Sequence, residues 1–141
     1  MSLAAFLVDT SALVRIFRSR QVRARWEHQI TAGLLAVCPV IELEFLYTAR
    51  SKADRDELIE LLQTAFTWVA MPERVFERAS DIQAALTDRA AHRSAGTVDL
   101  LVAASAELHG LTVLHCDRDF DRVSEVTGQP TLWLADPGSL P

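Results

Sequence analysis

The strongest constraint on this chain is a pair of short apolar runs that each stop at an aspartate. LAAFLVD spans 3–9 and LTVLHCD spans 111–117. Both read as continuous over 3–8 and 111–114, with no polar alternation. A strand of that kind is covered on both faces, as in a parallel sheet with helices above and below. The segments between fit the same plan. SALVRIFRSRQVRARWEHQITA predicts one or two helices. CPVIELEFLYTARS (38–51) predicts a helix with Val40, Leu43, Leu46 and Tyr47 as its apolar stripe and Pro39 in its first turn. ADRDELIELLQTAF (53–66) is an amphipathic helix, FTWVAMP a short strand, and 73–92 a further helix. GTVDLLVAASAELHG (96–110) is an apolar helix with Gly96 and Thr97 before it and Gly110 after it. RDFDRVSEVTG then predicts a short helix and PTLWLAD a last strand. Strands alternating with helices imply a three-layer α/β/α domain with a mainly parallel central sheet. One domain over 1–135 is expected, followed by a tail, DPGSLP, at 136–141.

Bulk properties narrow the function classes. No apolar run approaches the roughly 20 residues that span a bilayer. The N-terminus lacks the basic start and small-residue cleavage site of a signal peptide, so a cytoplasmic protein is expected. Cys38 and Cys116 form neither a disulfide framework nor a zinc spacing, and are expected to be reduced and packed. The net charge of −5 argues against a protein whose main task is gripping a nucleic-acid backbone. The sign is uneven, however. Thr10 to Trp26 holds no acid but carries Arg15, Arg18, Arg20, Arg23 and Arg25, either a solvated helix face or a basic lip.

The acids carry the chemistry. HCDRDFDR (115–122) opens like a calcium loop, but that loop needs Gly at its sixth position and Glu at its twelfth, where this chain has Arg122 and Gly128. Asp9 and Asp117 instead close strands. In parallel sheets ligands bind outside the carboxyl ends of the strands, so both acids face one edge if their strands are neighbours. Asp99 opens the apolar helix, where the helix N-terminus favours a negative charge. Glu42 and Glu44 point about 200° apart on a helix, and geometry alone does not choose between them. Crowded carboxylates need protons or a cation among them. An oxygen-only donor set suits magnesium or manganese, and the chemistry implied is metal-assisted phosphodiester hydrolysis. A phosphoryl-receiver reading fails because the sole lysine, Lys52, lies mid-chain.

VDTSALV, ELEFLYTAR, TVDLLVAASAELHGL and VLHCDRDFDRV together resemble the PIN-domain ribonucleases of the VapC toxin type, over nearly the whole length. The segment 53–92 carries little of the likeness. The resemblance implies Asp9, Glu44, Asp99 and Asp117 as catalytic acids. It implies Asp9, Asp99, Asp117 and Asp119 as metal ligands, with Ser11 steadying the cluster. It favours Glu44 over Glu42 because Glu44 precedes the Phe45-Leu46-Tyr47-Thr48 pattern. His115 stands where the family often has Thr; a packed role is expected for it. Asp121 is expected to be an ordinary surface acid, and Phe120 to pack inward.

The resemblance further implies Mg2+ or Mn2+, a structured RNA substrate of the transfer or ribosomal class, and a homodimer. It implies inhibition by a cognate VapB-type antitoxin, with operator DNA reached only through that antitoxin. Arg15, Arg18 and Arg118 are candidates for holding RNA, as are Arg50, Lys52, Arg89 and Arg93. The alternative is a non-catalytic PIN-fold module acting as an antitoxin-bound corepressor, which the intact acidic set disfavours.

Overall fold

A computed structural model describes residues 3–139. Residues 1–2, the first of the N-terminus compared with a signal peptide, and 140–141, the end of the expected tail, lie outside the described residues. Along the chain the elements are β1 (Phe6–Val8), α1 (Thr10–Arg18), α2 (Arg20–Thr31), β2 (Leu35–Val37), α3 (Pro39–Leu46) and α4 (Lys52–Ala65). They continue as β3 (Thr67–Trp68), α5 (Val75–Asp88), α6 (Thr97–His109), β4 (Thr112–His115), α7 (Asp119–Thr127) and β5 (Thr131–Trp133). The strands form one sheet in the order β3-β2-β1-β4-β5. Every pairing is parallel, and at the centre Phe6, Leu7 and Val8 face Thr112, Val113 and Leu114.

Continuous apolar sequence and double-sided burial coincide. Leu7 and Val8 point to opposite faces of the sheet, and both are wholly buried, as are Val113 and Leu114. In β2, Leu35, Ala36 and Val37 are all buried. α6 packs against β1 and β4 and against α3, α5 and α7. It is buried at every residue from Leu100 to Ala106. A helix enclosed on that scale must be apolar all round, and its small residues Ala103, Ala104, Ser105 and Ala106 let its neighbours approach closely. It ends at Gly110, whose φ of 71° is the left-handed geometry that favours glycine, and the chain turns from there into β4.

Two local expectations are corrected. β2 was not foreseen; the chain makes a strand of LAV between α2 and Pro39. The stripe assigned to α3 holds for Leu46, which is buried, and for Val40, which packs against the core, but fails for the other two residues. Leu43 and Tyr47 are 68% and 90% exposed, and the buried residues are Ile41, Phe45 and Leu46. The helix has only eight residues and is apolar nearly all round. Two different i, i+4 pairs therefore satisfy the same spacing, and packing against α1 and α6 selects the Ile41–Phe45 side. Among the described residues no helix is long and apolar enough to cross a membrane.

Candidate metal centre at the carboxyl edge of the sheet

In the strand order, β1 is followed in sequence by β2 on one side and has β4 on the other. That reversal opens a crevice at the carboxyl ends of β1 and β4, where such sheets bind ligands. Asp9 follows β1 directly, and Asp117 comes two residues after β4.

Asp9 is 3% exposed. Its amide extends the ladder to the Leu114 carbonyl at 2.9 Å. Its Oδ2 caps α1, accepting the Ser11 N–H at 3.1 Å and the Ser11 hydroxyl at 2.7 Å. Its Oδ1 is buried and has no hydrogen-bond partner among the described residues. Burial pushes this carboxyl up from 3.8 to about 6; the Ser11 hydrogen bonds oppose that rise and the Glu44 charge adds to it. Glu44 therefore belongs to this side of the molecule. Glu42 instead lines a cavity with Val37, Leu62, Gln63, Phe66 and Trp68.

Asp99 sits in the first turn of α6, its Oδ2 accepting the Gly96 N–H at 3.3 Å. Its carboxyl is raised to about 7, first by burial and then by the charges of Asp9, Asp117 and Asp119. Asp119 is raised as well, by burial and then by Asp117. Asp99, Asp117 and Asp119 each offer a carboxylate oxygen, and these oxygens lie within 4.8 Å of one another. Asp9 is not a member of that trio. Its bare Oδ1 and its effect on Asp99 nevertheless put it on the rim.

The turn between β4 and α7 is held by side chains catching successive amides. Cys116 N–H donates to Ser11 Oγ at 2.9 Å, Asp117 N–H to His115 Nδ1 at 3.1 Å, and Asp119 N–H to Asp117 Oδ1 at 2.9 Å. Ser11 thus joins the two strand ends, donating to Asp9 and accepting from Cys116. His115 and Phe120 are wholly buried. The His115 ring lies 5.1 Å from the Phe120 ring and 5.0 Å from that of Trp133, and burial lowers its pKa. Phe120 anchors the start of α7; truncation to Ala would cost about 3–5 kcal/mol. Asp121 is exposed but not idle, since the Trp133 indole N–H donates to it at 3.1 Å.

These residues fit a hard divalent cation. All donors are oxygen, three converge, and a buried oxygen of Asp9 lacks a partner beside them. Burial raises both thiols, so neither Cys38 nor Cys116 supplies a thiolate. Arg15 and Arg18 line a cavity of about 510 Å³ with Thr10, Ser11, Ser19 and Cys116, next to the acids. Arg118 is exposed between Asp117 and Asp119. Sequence reasoning did not foresee the Asp121–Trp133 contact or the acceptor role of His115. The only signal was an aromatic residue at the end of β5 opposite a histidine at the end of β4.

A model of the PIN domain matches residues 6–126. "Ribonuclease VapC21" of Mycobacterium tuberculosis is 42% identical over 134 residues, covering 95% of this chain and 96% of that one. "Ribonuclease VapC18" of the same species is 39% identical over 137 residues, covering 96% and 98%. The chain belongs to the PIN-domain family and, within it, to the VapC group. The DNA-bound VapBC structure from Salmonella typhimurium superposes with a TM-score of 0.77 at 19% identity, covering 94% of this chain and 99% of the matched one. VapBC2 of Rickettsia felis, bound to a promoter fragment, gives 0.77 at 12%, covering 92% and 98%. At those identities the likeness is one of fold.

Proposed function

We propose that this chain is a divalent-metal-dependent endoribonuclease and the toxin of a toxin–antitoxin pair. The observation that carries the reading is the convergence of Asp99, Asp117 and Asp119 at the switch point of a VapC-group PIN domain. The names of the relatives support RNA as substrate. The structural neighbours, VapBC assemblies bound to DNA, support a VapB-type antitoxin as partner, with operator DNA reached through it.

We assign Mg2+ or Mn2+ to Asp99, Asp117 and Asp119, with Asp9 Oδ1 as a further oxygen. When bound, such a cation neutralises phosphodiester charge and makes water acidic enough to attack near neutral pH. The protein supplies the rest. Ser11 fixes Asp9 and the Cys116 amide together, so the two strand ends cannot drift apart. Glu44 completes the catalytic set beside Asp9 and is the carboxylate assigned to taking a proton. Arg15 and Arg18, three residues apart on α1, take phosphates along the adjoining cavity, and Arg118 takes another. A net charge of −5 suits recognition of a structured transfer or ribosomal RNA by a few such contacts. Leu43 and Tyr47, one helical turn apart and bare to solvent, are the face assigned to a second copy in a homodimer.

The test is cleavage of purified tRNA and rRNA by antitoxin-free protein. Cleavage should require Mg2+ or Mn2+, stop with a chelator, and be lost in Asp99→Asn. Folded, metal-supplied protein that leaves both RNAs intact would sink the reading.

A further inference from the structure

We propose that His115 is a positioning residue for the acidic turn: its Nδ1 accepts the Asp117 N–H and thereby sets the direction of the Asp117 and Asp119 carboxylates. The ring is wholly buried, and Phe120 and Trp133 lie 5.1 and 5.0 Å from it. Trp133 is itself tied to Asp121 through its indole N–H. β4 ends at His115, whose carbonyl still takes the Leu134 amide at 2.8 Å. Beyond that point the sheet ladder offers the chain no acceptor, and the Asp117 amide is caught by the imidazole at 3.1 Å.

A backbone N–H can only donate, so Nδ1 must be the bare nitrogen and the ring proton must sit on Nε2. Nε2 is buried without a hydrogen-bond partner among the described residues. A buried donor left unpaired is unfavourable, and a leucine or phenylalanine would fill this space without that penalty. What an apolar residue could not do is accept the Asp117 amide. The arrangement is therefore explained by the acceptor at Nδ1. One amide further on, Asp119 N–H is held by Asp117 itself, so a shift at Asp117 carries Asp119 with it. His115 touches neither substrate nor cation; it acts through the turn.

The proposal rests on the metal-nuclease reading only for its effect on activity, and the experiment keeps the two apart. His115→Asn places an amide oxygen where Nδ1 stands, and His115→Leu keeps bulk without an acceptor. Hydrogen exchange at the Asp117 amide should speed up at least tenfold in His115→Leu and stay near wild type in His115→Asn. Calorimetric Mn2+ affinity of the antitoxin-free protein should follow, falling about tenfold in the leucine variant and within threefold in the asparagine variant. RNA turnover should fall through kcat with KM unchanged. In the wild type, long-range 1H–15N spectra should show the Nε2–H tautomer. An Nδ1–H tautomer, or a leucine variant with wild-type amide protection and Mn2+ affinity, overturns the proposal. If His115→Leu does not fold, the tautomer and the asparagine variant's amide protection decide it. If the wild type binds Mn2+ but cleaves no RNA, the ribonuclease reading falls, while the exchange and affinity results still decide the role of His115.

Discussion

The two walls of the acidic crevice are built differently. On the β1 wall, Asp9 follows the strand and is at once engaged as the cap of α1, giving one oxygen to Ser11 and keeping only Oδ1 bare. On the β4 wall, the amides of Cys116, Asp117 and Asp119 are each held by a side chain; Asp117 gives Oδ1 to the last of these, and oxygens of Asp117 and Asp119 still converge with one of Asp99. An acid at a strand end is thus not automatically a ligand of the same rank as its neighbour. Asp9 and Asp117 each give one oxygen to a donor two residues on, so what separates them is burial: Asp9 is enclosed and Asp117 is half-exposed.

The largest expected effect lies on the β4 wall. Asp117→Asn should lower RNA cleavage by about 100-fold or more, because it removes a charge from the trio while its amide oxygen can still hold the Asp119 N–H. If it lowered activity no more than a surface change does, the ranking of the two walls would be reversed. Ser11→Ala strikes both walls at once. It should cost about 1–3 kcal/mol of stability, read by denaturant melts, and about tenfold or more in Mn2+ affinity. An effect confined to stability would show that Ser11 holds the fold and not the site.

A third comparison uses pH. In the folded, metal-free protein Asp9 and Asp99 hold their protons up to about 6 and about 7, against 3.8 for an ordinary aspartate. The folded state therefore binds more protons than the unfolded state between those values, and stability must fall as pH rises. This contribution is complete below about 3.8 and is lost by about 7. Thermal melts at pH 5 and pH 8 should show the decline, and saturating Mn2+ should reverse it more at pH 8 than at pH 5. Asp99→Asn should flatten the decline more than Asp9→Asn does. The smallest effect is expected outside both walls. Arg18→Gln should raise KM for RNA several-fold and reduce the salt slope of binding by about 1, with kcat unchanged.

Much of this architecture was legible in the sequence, for stated physical reasons. β1 and β4 declared themselves because strands covered on both faces must be apolar without alternation, and α6 because an enclosed helix must be apolar all round. The convergence of Asp9, Asp99 and Asp117 on one edge followed from the positions of those elements. β2 escaped notice because three residues between a helix and Pro39 leave almost no periodicity to read. The exposed side of α3 escaped because a helix of eight mostly apolar residues has no preferred face until α1 and α6 supply one. The distinction between Asp9 and the trio was illegible for a different reason. It depends on where α6 and the turn after β4, both far from Asp9 in sequence, place their carboxylates.

The pairing of β1 with β4 has a consequence for synthesis. Phe6 lies beside Thr112, so the centre of the sheet joins residues separated by about three-quarters of the chain. A nascent polypeptide that has not reached β4 has no partner for that side of β1, no Cys116 amide for Ser11, and neither Asp117 nor Asp119. On the function proposed above, the unfinished chain is harmless to the machinery that makes it. The proposed catalytic acids meet only once the chain has been made as far as α7, which gives an inhibitor already in the cell time to be waiting.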